Sequence, residues 1–70
     1  MKWIVSVQFS RPKAYHLFFS LVNRKRIKDT VLVNYSHADQ IVEFETTTKP
    51  EEQKIKQMGA VVNVKILEVK

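Results

Sequence analysis

The apolar residues of this 70-residue chain change their spacing in a fixed succession, and the succession leaves little choice of fold. They alternate along Lys2–Phe9, recur three and four residues apart beyond Pro12, then alternate again along Thr30–Tyr35 and Ile41–Thr47. Helical spacing returns after Pro50, and alternation resumes from Ala60 to Val69. Alternation marks a strand with one buried side; three-and-four spacing marks a helix with an apolar stripe. The order is therefore strand–helix–strand–strand–helix–strand. It uses the whole chain, with no linker, low-complexity tract or convincing repeat left over.

Local signals punctuate the same order. Ser10 suits a helix N-cap, and Pro12 suits the first turn, where its missing N–H costs little. Ala14, Leu17, Phe18, Leu21 and Val22 supply the first helix's stripe. Arg24, Lys25 and Arg26 close it, where cations complement the carbonyl end of the dipole. Residues 36–40 form a short polar turn between two alternating runs, the signature of an antiparallel hairpin. Thr48 and Glu51 have capping-box spacing, Ile55 and Met58 give the second helix its apolar side, and Gly59 stops it.

Short connections and right-handed crossovers bring these elements together as an α+β, ferredoxin-like βαββαβ plait. The expectation is one domain over residues 1–70, a four-stranded antiparallel sheet with both helices on one face. The strand order expected is 4-1-3-2, with the first and third strands central.

Composition excludes several functions. There is no Cys, hence no disulfide framework, thiol nucleophile or thiolate zinc site. The single Gly is needed as a helix stop and cannot build a phosphate-cradling loop. Apolar runs fall far short of the roughly 18 residues of a membrane span. Polar Ser6, Gln8 and Ser10 interrupt the apolar start that a signal peptide would need. The expectation is a cytoplasmic protein without a membrane partner.

Chemistry is equally sparse. His37 and Asp39 stand two apart in the hairpin turn with no third ligand, and read as hairpin polarity rather than a metal site. His16 reads as an exposed helix residue. No nucleophile–base–oxyanion set can be assembled. The chain is thus expected to be no enzyme and to need no cofactor or metal.

What remains is surface. If Trp3, Val5, Val7, Phe9, Val31, Val33, Val42, Phe44, Val62, Val64 and Ile66 face the helices, the other side of the sheet is open. A sheet covered on one side normally shows polar residues on the other. Here each strand places one large aliphatic there: Ile4, Leu32, Ile41 and Leu67. Lys2, Glu43, Glu45 and Lys65 rim them and can pair across strands. Such a patch is the mark of a contact surface. The leading expectation is a small non-enzymatic protein-binding module: an adaptor, an inhibitor or a self-associating subunit. Its partner is another protein or a second copy, as a homodimer through the sheet face.

The alternative is nucleic acid. Lys and Arg total 12 against 7 acidic residues, a formal charge of +5, which attracts anionic partners. Arg24, Lys25, Arg26 and Lys28 crowd one junction and could engage phosphates without reading sequence. Arg11 and Lys13 lie about 20 Å away at the other end of the helix. Sheets of this topology that read RNA stack bases on aromatics. Alternation sends Phe44 inward with Val42 and leaves Glu43 and Glu45 outside, so any nucleic-acid contact is expected on the basic edge.

Overall fold

The computed structural model describes residues 1–69. In chain order the elements are β1 (Lys2–Phe9), α1 (Pro12–Asn23), β2 (Thr30–Ser36), β3 (Ile41–Thr46), α2 (Glu52–Lys56) and β4 (Val61–Val69). The strands form one antiparallel sheet in the order β2-β3-β1-β4, with β1 and β3 central. This is the ferredoxin-like plait, in the expected strand order. Among the described residues no helix is long and apolar enough to cross a membrane.

The central strands follow strict alternation. Val5, Val7 and Phe9 of β1 and Val42 and Phe44 of β3 are buried, as is Val64 of β4. Opposite each other in register, Val7 meets Val42 and Val64, and Val5 meets Phe44 and Ile66. Helix α1 closes this layer with Tyr15 and Val22, both buried, and with Phe18 and Phe19 packed beside them. Ala14 packs on the core too, so the stripe keeps the expected 14, 18 and 22 and takes Tyr15 and Phe19 in place of Leu17 and Leu21. Both sets have helical spacing; the sheet takes the set that buries the larger aromatic area. Leu17 and Leu21 are left on the outside, the former 66% exposed.

Two β-bulges overturn the expected faces of the edge strands. In β2 the register passes from Leu32↔Phe44 to Asn34↔Glu43, so Val33 is an extra residue. One inserted residue reverses which side chains face the core on the far side of it. Thr30 is buried, its Oγ1 donating to the Ile27 carbonyl at 2.8 Å, and Leu32 packs against the core. Leu32 thus belongs to the helix side, not to the open face, while Val31 and Val33 are half exposed or more. In β4, Phe9 pairs Val61 while Gln8 pairs Asn63, which makes Val62 the extra residue. Val61 therefore packs on the core and Val62 is exposed.

The caps differ from expectation as well. Arg11, not Ser10, is the N-cap of α1, with no side-chain cap, and Pro12 opens the helix. Ser10 instead ties the turn to β4, its amide and hydroxyl both donating to the Ala60 carbonyl, at 2.7 and 3.3 Å. No capping box forms at α2: Thr48 takes part in the β3–α2 turn, its amide donating to Thr46 Oγ1. That leaves α2 only five residues long, without a buried residue and with Ile55 as its one anchor on the core. It packs on β4, and no Cα of α2 comes within 8 Å of one in α1.

Candidate functional site

The open side of the sheet is built by register. Ile4 on β1 lies between Leu67 on β4 and Glu45 on β3, and Glu45 in turn pairs Val31 on β2. One row therefore reads Leu67, Ile4, Glu45, Val31 across all four strands. The next row reads Lys65, Ser6, Glu43, Asn34, and the one after it Asn63, Gln8, Ile41, Ser36. The sheet brings Ile4 and Leu67 into direct cross-strand contact range. Ile41 is four residues along the strands from that row, beyond Ser6 and Glu43. Leu32, on the helix side, takes no part.

Two residues join the patch in its place. Val31 reaches it only because the β2 bulge reverses the strand's faces. Val69, two residues beyond Leu67, extends the patch along β4 and was legible from alternation alone. Leu67 is 64% exposed and Val31 57%. No aromatic side chain faces this side among the described residues: Trp3 shares the side of Val5, and Phe44 is buried.

The charges on this side divide laterally. Lys2 and Lys65 stand on β1 and β4; Glu43 and Glu45 stand on β3. Lys2 Nζ lies 3.2 Å from Glu45 Oε1, and Asn34 Nδ2 donates to Glu43 Oε1 at 3.3 Å. The Lys2–Glu45 pair is largely solvated, so it orders the two side chains more than it stabilises the fold. Lys65 has no ion pair among the described residues.

The basic loop sits at the opposite end of α1 from the hairpin. Arg24 caps the helix, and the Lys25 and Arg26 amides donate to the Val22 and Leu21 carbonyls at 3.1 and 2.9 Å. This is a Schellman stop with Lys25 in the left-handed position at φ 57°. Arg24, Lys25, Arg26 and Lys28 are all exposed, and none makes an ion pair among the described residues. Lys28 and Lys49 line one shallow cleft with Thr30, Thr46 and Thr48. Lys49 is distant in sequence from the loop, and no local pattern links the two.

His37 proves to be part of a ring cluster. Its Nδ1 is hydrogen-bonded to the Tyr15 hydroxyl at 2.6 Å, and Phe19, Tyr35 and His16 surround it with ring centroids 4.9–5.8 Å away. Burial, and secondarily the Tyr35 phenol, push the Tyr15 pKa above the ordinary tyrosine value. Which of the two atoms donates in this hydrogen bond is set by the His37 tautomer. Asp39 is engaged in its own turn, its amide donating to Ser36 Oγ at 3.2 Å. Among the described residues no three His, Cys, Asp or Glu side chains gather as a metal site would require.

No family model matches this chain, and no characterised protein or solved structure matches it either.

Proposed function

We propose that the chain is a non-enzymatic, self-associating subunit whose open sheet face packs on the same face of a second copy. The observation that carries this reading is the lateral polarity of that face. A two-fold axis parallel to the strands lays the β1–β4 half of one copy, with Lys2 and Lys65, on the β3–β2 half of the other, with Glu43 and Glu45. The same operation sets Leu67 of one copy against Val31 of its partner, because both lie in one row of the register. An isologous interface needs this self-complementarity.

Size sets the strength. Four strands about 4.8 Å apart and about six residues long at 3.3 Å each cover about 400 Å² per copy. The pair buries about 800 Å², below the range of stable complexes, so the dimer is weak and its population depends on concentration. Sedimentation equilibrium is expected to give a mass that rises with concentration from the chain mass toward twice that value at submillimolar concentration. Leu67→Glu and Ile4→Glu are expected to give monomers that melt as the parent does.

The chain's lack of cysteine allows a sharper test. Val31 and Leu67 lie on opposite edges of the sheet, about 14 Å apart within one copy, beyond the reach of a disulfide. Mild oxidation of the Val31→Cys, Leu67→Cys double variant is expected to give a covalent dimer. A parent chain that stays monomeric, or an uncrosslinked double variant, would refute the reading. Leu67→Cys alone crosslinking as fast would refute the axis.

A second reading rests on a separate observation, the exposed and ion-pair-free state of Arg24, Lys25, Arg26 and Lys28. These would bind phosphate backbone without sequence preference, with affinity that falls steeply with salt. Anisotropy of labelled single-stranded RNA and double-stranded DNA at two salt concentrations tests it. Charge reversal at Arg24 and Arg26 should abolish binding, and Leu67→Glu should leave it unchanged.

A further inference from the structure

No Cα of α1 lies within 8 Å of one in α2, so the two helices do not pack backbone to backbone over the sheet. Between α1 and the turn that joins α2 to β4 lies a cleft of about 160 Å³ lined by Phe9, Ala14, Leu17, Phe18, Leu21 and Met58, with Gly59 also in its wall. The three residues that stand highest in it, Leu17, Leu21 and Met58, are 66%, 37% and 48% exposed. Large apolar side chains exposed together on one concave surface are uncommon on a small soluble domain. The cleft runs on into a trough shared by Ala14, Leu17, Met58 and Gly59, whose outer wall carries Arg11 and Lys13. Neither cation has an ion-pair partner among the described residues.

The chemistry of the lining selects the occupant. None of the six lining side chains carries a strong hydrogen-bonding group. A peptide backbone or a sugar seated there would find no hydrogen-bond partner among these side chains and would have to leave its polar groups to solvent or unpaired. A hydrocarbon chain has none to leave. Apolar cavities of this volume accept a guest the size of benzene, which corresponds to the end of an alkyl chain. The two cations at the mouth then call for an anionic head. From this we infer that the cleft between α1 and the α2–β4 turn binds a free single-chain fatty carboxylate, with its tail between Leu17, Phe18 and Met58 and its head at Arg11 and Lys13. The site lies on the side of the sheet opposite the proposed dimer face and does not depend on it.

The test is titration of the isotope-labelled chain with decanoate below its micelle concentration, followed by amide and methyl NMR. Saturable shifts are expected at Leu17, Leu21, Met58 and Gly59, and not on the open face. The Arg11→Glu, Lys13→Glu double variant should bind decanoate about tenfold more weakly, since charge-assisted hydrogen bonds are lost. It should bind decanol as the parent does. Leu17→Gln, at an exposed position that does not hold the core, should weaken both. Four results would overturn the proposal: no saturation at millimolar decanoate, shifts scattered over the surface, equal binding of decyltrimethylammonium, or binding to phosphatidylglycerol vesicles without binding of free decanoate.

Discussion

Replacing Lys25 by Gly should make this protein more stable, although the change removes a charge and every contact of a long side chain. Lys25 sits at φ 57°, the left-handed position that ends α1, where its Cβ crowds the backbone. A non-glycine residue there costs about 1–2 kcal/mol, and glycine escapes that cost. Glycine gives back about 0.4–1 kcal/mol through the greater freedom of the unfolded chain. The two Schellman hydrogen bonds, from Lys25 to Val22 and Arg26 to Leu21, use backbone atoms and survive the change. The balance is about 1 kcal/mol in favour of Gly. Losing a cation near the carbonyl end of α1 offsets some of it, so Lys25→Ala is the proper reference. For a chain of this length, about 1 kcal/mol corresponds to about 6 °C in Tm. Thermal unfolding by circular dichroism, with urea titration to confirm an unchanged m-value, reads the difference directly. Should the Gly and Ala variants melt together, the loop does not hold Lys25 in the left-handed region, and the account of how α1 ends is wrong.

Two further predictions concern the edges of the fold. Tyr15 has a folded-state pKa above its unfolded value, so as pH rises past about 10 the unfolded chain loses the phenolic proton first. The unfolded state then binds fewer protons, and stability falls from about pH 10 upward through the raised folded value. Urea unfolding at stepped alkaline pH should show the fall, and Tyr15→Phe should flatten it. Leu32→Asn should cost about 1–2 kcal/mol, because Leu32 packs on the core, while Val31→Asn should change stability by no more than about 0.5 kcal/mol. Equal effects in denaturant titrations would mean that the β2 bulge is absent.

Where the chain obeys a single period, its sequence was enough. Val5, Val7, Phe9, Val42 and Phe44 alternate without interruption in β1 and β3, and all five are buried. The element order and the strand order follow from those two strands and the lengths of the connections. The failures have one physical origin: a bulge carries no mark in composition. Val31, Leu32 and Val33 are all good strand residues, so nothing local says which is inserted. The partner strand decides, by offering Phe44 to Leu32 and Glu43 to Asn34. The candidate contact surface inherited that error directly, taking Leu32 for an anchor and overlooking Val31. α1 shows the same indeterminacy. Seven of its residues from Ala14 to Val22 are apolar or aromatic, a belt wide enough to fit two stripes, and only the sheet's aromatics choose between them.

Both candidate surfaces trace back to a shortage of cover. A chain this small buries a limited fraction of its surface, and a four-stranded sheet has two sides to hide. Helix α1 covers one side well, since it carries Tyr15, Phe18, Phe19 and Val22 across β1, β2 and β3. Helix α2 has five residues and one anchor, which is too little to reach α1 and seal the layer. The gap between them exposes Leu17, Leu21 and Met58 on the helix side. Among the described residues no helix covers the other side, which exposes Leu67, Val31 and Val69. Lengthening α2 by a turn with an added leucine aimed at Leu17 would fill the cleft without touching the open face. Such a variant should lose decanoate binding and keep its concentration-dependent mass, because the two surfaces share no residue and lie on opposite sides of the sheet. If it lost both together, the two surfaces would be coupled through the sheet, and neither could be assigned from its own residues.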